Sequence, residues 1–121
     1  MNKKFIKSFT FALKGLKLAW KEEFNFKIEI FLGLIAILLA LTFQVNTIQF
    51  AIIFLTIVIV LAVEMLNTAL EELCDKLRPE NDPYVAKIKD LAASAVLISS
   101  IGAITVGIFI FGPYLLEIFL K

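Results

Sequence analysis

The sequence contains no histidine. That absence excludes a histidine-based zinc site and a histidine general base, so proton transfer must be carried by carboxylates, lysines or tyrosines. There is one cysteine, Cys74, and no second thiol with which it could close a disulfide. Lying next to acids, Cys74 reads as a bystander in a reducing compartment. Neither a GxxxxGK[ST] loop nor a kinase-type glycine-rich loop occurs, which removes the two common nucleotide-binding classes. No internal, inverted or low-complexity repeat is present. A cleavable signal is not expected, because the first long apolar run comes late and lacks a small-residue cleavage site.

Charge is the scarcest commodity. Only 19% of the residues are charged and 60% are hydrophobic, whereas a soluble domain is about a quarter charged and roughly half apolar. The chain therefore reads as an all-α membrane protein. No charged side chain occurs from Ile30 to Val63. This stretch is too long for one span of about 20 residues, and the polar patch Gln44, Asn46, Thr47 and Gln49 divides it. Two short spans are expected, 29–43 and 48–66, the second continuing as a polar helix to Leu77. Pro79, Asn81, Asp82 and Pro83 stop that helix and place a loop at 78–84. A third charge-free run gives a span at 91–116, with Gly112 and Pro113 ending or bending it. Along it Ala95, Ser99, Ala103 and Gly107 form a seam of small residues suited to close helix packing.

Ahead of the first span, residues 3–24 repeat apolar positions at Phe5, Phe9, Leu13, Leu16, Trp20 and Phe24, with lysines largely between them. The pattern predicts an amphipathic helix on the membrane surface, Trp20 lying at headgroup level. Lys3, Lys4, Lys7, Lys14, Lys17, Lys21 and Lys27 precede the first span, and Lys76, Arg78, Lys87 and Lys89 follow the second, while the 44–49 turn has no charge. The bias of basic residues toward the cytoplasm puts the N-terminus and the 64–90 segment inside, and the turn and C-terminus outside.

Where the second span leaves the membrane, the sequence becomes acidic. Glu64, Glu71 and Asp75 fall within about 40° of one another on a helix, flanked by Asn67 and Thr68. An acid in the bilayer centre costs roughly 2.5 to 3.5 kcal/mol even on lenient scales, so something must compensate for the stripe. A divalent cation is the simplest candidate. Phosphoryl transfer needs a metal to bridge phosphate oxygens, a cation to take up charge and a base for the attacking hydroxyl. Glu71, Lys89 and Glu64 have the chemistry for these roles. A proton- or cation-relaying membrane subunit and a structural, lipid-organising protein remain open on the same residues. Three helices leave little interior for such charges, so self-association is expected.

The segment ExxNTALE (Glu64, Asn67, Thr68, Ala69, Glu71), Asp75, and Lys89 with Asp90 in KDLAASAVL resemble the small integral-membrane prokaryotic diacylglycerol kinases, which include undecaprenol kinases. Lys14, Gly15 and Leu16, followed by Ala19, Trp20 and Glu23, are similar to the KGL..AW..E segment of that family. The resemblance covers nearly the whole chain. It implies a homotrimer of three-span subunits in the bacterial plasma membrane, with active sites at subunit boundaries. It further implies that Glu64 is the base acting on the lipid hydroxyl and that Glu23 and Glu71 hold Mg2+ on ATP. Lys89, Asp90, Glu80, Asn81 and Asp82 are then nucleotide contacts. Asn67, Asp75 and Glu29 match further polar positions of the site, and Trp20 stands with Glu64 toward the lipid substrate. The loop departs from the family's most familiar version, which has a Tyr-His pair where Asn81 and Asp82 stand. An acid at Glu29 is similar to the diacylglycerol kinases, whereas undecaprenol kinases often carry histidine there. NTALE and KDLAASAVL resemble the undecaprenol branch at least as closely. Diacylglycerol is the substrate preferred by this reading and undecaprenol the alternative. The implied partners are ATP, a lipid alcohol, the bilayer and further copies of the chain, with no nucleic acid.

Overall fold

A computed structural model describes residues 2–77 and 82–120. Every regular element among them is helical: α1 (Lys3–Glu22), α2 (Phe24–Thr42), α3 (Thr47–Leu77) and α4 (Pro83–Phe119). The last three are long and apolar enough to cross a membrane.

Local chemistry sets the boundaries. Asn2 caps α1, its Oδ1 accepting from the Lys4 N–H at 3.3 Å. The helix stops at Glu22 because Glu23 turns extended, with φ −105° and ψ 106°. Glu23 is thus a one-residue hinge, both the C-cap of α1 and the N-cap of α2, and its side chain makes no cap hydrogen bond. The expected surface helix to 24 is two residues shorter, and α2 starts at Phe24 rather than 29, because the chain re-enters helix as soon as the hinge is passed.

Between α2 and α3 the chain turns through Phe43, Gln44, Val45 and Asn46. Val45 N–H reaches back to Ala40 O at 3.1 Å and Gln44 N–H to Leu41 O at 3.2 Å, the paired bonds of a Schellman turn. Gln44 occupies the left-handed position, φ 54°. Asn46 then caps α3: its Oδ1 accepts from Gln49 N–H at 2.8 Å, and Gln49 Oε1 accepts from Asn46 N–H at 3.2 Å. This reciprocal pair is a capping box. Tyr114 of α4 donates to the same Gln49 Oε1 at 2.9 Å, and its ring stacks on Phe43 with centroids 5.5 Å apart. The principal buried cluster, Ala40, Ile53 and Ile110, sits directly beneath.

α4 corrects two expectations. It begins at Pro83, inside the expected 78–84 loop, since proline at the first helical position gives up no hydrogen bond and Asp82 Oδ1 accepts from Tyr84 N–H at 2.9 Å. It also runs through Gly112 and Pro113 to Phe119. Proline there deletes one backbone donor, but in an apolar surrounding the remaining amides have no better partner than the helix itself. The 31 residues of α3 and 37 of α4 give rods of roughly 46 and 55 Å, well beyond the ~30 Å hydrocarbon core. Their polar ends therefore project from the lipid.

α3 and α4 share the broadest contact, α2 packs on α3, and α1 touches α2. Gly33 marks the closest crossing, where a Cβ would meet Ile57 Cγ2 at 3.0 Å. The small-residue seam of α4 behaves differently: a Cβ on Gly107 would meet nothing within 4 Å. Ala103 and Gly107 of that seam border a hollow between α2, α3 and α4 instead of a tight contact. Large apolar side chains face outward along the spans, Phe31 being 63% and Phe109 74% exposed, as a lipid solvent allows.

Candidate active site

The acidic residues meet where α1, α2 and α3 converge. Glu64, seventeen residues into α3, is 3% exposed and is the one buried charged side chain among the described residues. It stands within electrostatic reach of Glu23 at the α1–α2 hinge and of Glu71, two turns further along α3. Glu29 of α2 lies within electrostatic reach of Glu64. Four carboxylates from three elements thus converge. The sequence showed the α3 stripe, but it could not show that the hinge returns Glu23 and Glu29 to it.

Among these acids Glu64 has a neutral partner that sequence reasoning missed, the side-chain amide of Asn25, in the first turn of α2. An amide two residues after Glu23 carries no helical or motif signal, and only the packing of α2 on α3 gives it a role.

Asn67 Nδ2 donates to Glu71 Oε1 at 3.2 Å, whereas Asn67 Oδ1 is buried without a partner. A buried orphan oxygen is costly, and it is a donor atom of the hard type that Mg2+ prefers. Glu71 stands beside it, and Glu23 has a carboxylate not used for capping. Among the described residues, no three acidic or thiol groups converge closely enough to hold a metal by themselves. The donor set fits Mg2+ in its usual mode, carried on one or two carboxylates together with substrate phosphates.

Lys89 of α4 forms an ion pair with Asp75 of α3, a contact between two of the expected site residues. Lys89 is also within electrostatic reach of Glu71. Asp90 is exposed on the next position of α4, its main-chain oxygen accepting from Ser94 Oγ at 2.9 Å. Asp82 is engaged as the α4 cap. Glu80 and Asn81 lie outside the described residues. Trp20 does not line the cavity around Glu64. Its ring instead receives the Lys27 ammonium at 5.7 Å from the centroid, a cation–π clip across the hinge.

Two hollows flank the cluster. One, of about 230 Å³, lies between α1, α2 and α3 and is lined by Gly15, Glu23, Phe26, Glu64 and Thr68 among others. The other, of about 330 Å³, runs between α2, α3 and α4 past Gly33, Ala36, Ile57, Ala103 and Gly107, with Glu29 in its wall. Glu29 Oε2 is buried and has no hydrogen-bond partner.

A buried carboxylate, hard oxygen donors and a lysine thus stand at one end of an apolar bundle. The sequence profile of the prokaryotic diacylglycerol kinase family matches residues 10–111. The chain belongs to that family of membrane lipid kinases. It is 38% identical over 112 residues to a diacylglycerol kinase of Synechocystis, covering 92% of this chain but 64% of that protein. It is 32% identical over 117 residues to a diacylglycerol kinase of Helicobacter pylori, covering 97% of this chain and 88% of the relative. It is also 30% identical over 112 residues to an undecaprenol kinase of Bacillus subtilis, covering 93% and 91% respectively.

Proposed function

We propose that the protein transfers the γ-phosphate of ATP, as its magnesium complex, to the hydroxyl of diacylglycerol, giving phosphatidic acid. The observation that carries this reading is the convergence of Glu64 with Glu23 and Glu71 at the projecting end of α3. Glu64 lies roughly 10 Å deeper along the helix than Glu71, seven residues at 1.5 Å each. A lipid hydroxyl at Glu64 and a nucleotide phosphate at Glu71 are thereby kept at different depths.

In this reading Glu64 accepts the hydroxyl proton as the lipid oxygen forms its bond to the γ-phosphorus. The bond from that phosphorus to the β,γ-bridging oxygen breaks, and ADP leaves with the electron pair. Glu23, Glu71 and the unpaired Asn67 Oδ1 would hold the cation. Bound Mg2+ neutralises charge on the phosphates and, with it, the repulsion among the acids. Lys89 takes up further phosphate charge, steered by Asp75, while Asp90 and the 80–82 loop contact the nucleotide. The apolar hollow past Glu29 accommodates a lipid chain.

α1 lies on the inner membrane surface. None of its residues is buried in the chain and Phe5, Phe9 and Trp20 are exposed, so its apolar side is available to lipid. The N-terminus and acids are cytoplasmic and the C-terminus external, following the lysine bias. The chain works as a homotrimer, in which exposed apolar side chains of the spans and the exposed acids find neighbours.

Undecaprenol is a second substrate reading, favoured by the Bacillus subtilis relative. Purified protein in mixed micelles, given γ-labelled ATP with either alcohol, tests both. Magnesium-dependent labelling with higher kcat/KM for diacylglycerol is expected. Greater kcat/KM for undecaprenol would reverse the substrate choice, and no labelling of either would refute the kinase reading.

A further inference from the structure

α1 has three distinct faces. At about 100° per residue, Phe5, Phe9, Leu13, Leu16 and Trp20 fall within an arc of about 80°. Lys3, Lys7, Lys14, Lys17 and Lys21 fill a second arc of about 80°, centred roughly 120° from the first. The third face, carrying Gly15, Ala19 and Glu22, lines the hollow that Glu64 also lines. All five of those lysines are exposed, no acid occurs from Lys3 to Lys21, and among the described residues no lysine of α1 is in an ion pair. The rest of the chain does little to hold this helix. None of its residues is buried, and Phe5, Phe9 and Trp20 are each more than half exposed.

We propose that the lysine face of α1 is a docking surface for the phosphates of anionic lipids, and that this contact seats α1 over the site. This rests on the reading of α1 as lying on the inner membrane surface and of the acids as the kinase site. A lysine on the flank of a helix embedded by its apolar side runs its stem along the lipid and brings its ammonium to the headgroup phosphates. An arc about 120° from the apolar centre is that flank. Charge then selects the partner. Neutral headgroups suffice for the apolar face, whereas a row of lysines gains about fivefold in binding for each member near a negatively charged surface. A second copy of α1 would bring the same positive charge against it. Seating matters because α1 is one wall of the hollow at Glu64 and joins α2 through a single extended residue, Glu23. The Trp20–Lys27 clip spans that joint, but one exposed cation–π contact shifts an equilibrium only about two- to fivefold.

Trp20 is the chain's one tryptophan and lies on the apolar face, so its fluorescence reports the seating of α1 without any turnover. The full-length protein is reconstituted in vesicles of phosphatidylcholine, alone or with phosphatidylglycerol as a third of the lipid. It is compared with a Lys3→Gln, Lys7→Gln, Lys17→Gln triple variant and with the matching triple arginine variant. For the wild type, phosphatidylglycerol should shift Trp20 emission to the blue and cut its quenching by acrylamide about twofold, and molar salt should reverse both, as screening requires. Loss of three lysines should weaken seating about a hundredfold, roughly fivefold for each. The glutamine variant should then stay as in neutral vesicles, while the arginine variant behaves as wild type. Lipid phosphorylation should follow the same order, severalfold faster where α1 is seated. Equal Trp20 protection in neutral and anionic vesicles would overturn the proposal, and so would a glutamine variant that still responds to phosphatidylglycerol. Protection that rises with the protein-to-lipid ratio and ignores lipid charge would overturn it in favour of a second copy on this face. A Trp20 response with no change in rate would overturn the link to the site. No phosphorylation under any condition, beside an intact Trp20 response, would refute the kinase reading and leave the docking surface standing.

Discussion

The two ends of the bundle are built on opposite rules. At the turn between α2 and α3, polar groups are paired with one another: Asn46 and Gln49 cap one another, Tyr114 donates to Gln49, and Phe43 covers the Tyr114 ring. At the other end four carboxylates converge, Asn67 Oδ1 and Glu29 Oε2 are buried without partners, and a hollow opens around Glu64. Unpaired buried polar atoms cost about 1–3 kcal/mol each, and marginal stability gives little room for them. The turn end supplies the rigidity that lets the acid end stay unsatisfied until a ligand completes it. Changes at the acid end should therefore cost function and not stability, and changes at the turn end the reverse.

The sharpest break of this contrast is Glu64→Gln. Removing the proposed general base should lower the rate roughly a hundred- to ten-thousandfold, while Tm should hold or rise, since a like charge is deleted from a buried cluster. Lipid phosphorylation and thermal unfolding of the same preparation check both halves. A variant that loses Tm together with activity would place Glu64 in the scaffold.

Next come Glu71→Gln and Glu23→Gln. Each replaces a carboxylate of the proposed cation set by a neutral group of the same size. The magnesium concentration giving half-maximal transfer should rise about ten- to hundredfold, the scale of one charge-assisted contact, with Tm unchanged. A magnesium titration that does not move in either variant would assign the cation to other groups.

At the opposite end, Tyr114→Phe deletes one donor and keeps the ring. Gln49 Oε1 still accepts from Asn46 N–H, so no acceptor is orphaned and the loss should be about 0.5–1.5 kcal/mol. Tm should fall while kcat at low temperature stays the same. A reduced kcat at unchanged Tm would show that this lock reaches the acids along α4.

The contrast was half legible in the sequence. Two charge-free runs, the first divided by a polar patch, give the three spans, because lipid excludes charge in a way no tertiary detail overrides. Helical periodicity alone puts Glu64, Glu71 and Asp75 on one face. The Lys89–Asp75 contact crosses between helices; motif resemblance named both residues for the site but did not pair them. Glu23 and Glu29 were named for the site by that resemblance too, with no helical spacing behind them. Their convergence depends on the angle taken at a single extended residue, and a one-residue hinge leaves no pattern in composition. The helical path through Pro113 was also hidden, since proline is read as a breaker in water, where freed amides have another partner.

Gln44 offers the finest test of the division. An L-residue in the left-handed region is disfavoured by about 1–2 kcal/mol, and Gln44, exposed at φ 54°, occupies the place where glycine is usual. Glycine would remove that penalty but give back roughly 0.5–1 kcal/mol through the greater freedom of the unfolded chain. Relief exceeds return, so Gln44→Gly should raise stability by about half a kcal/mol, seen as a small rise in Tm with unchanged transfer kinetics. A fall in Tm would mean that the glutamine side chain holds the turn by contacts worth more than its backbone cost. A change in KM for the lipid would mean that the two ends are not independent, and that the turn helps set the width of the hollow between α2, α3 and α4.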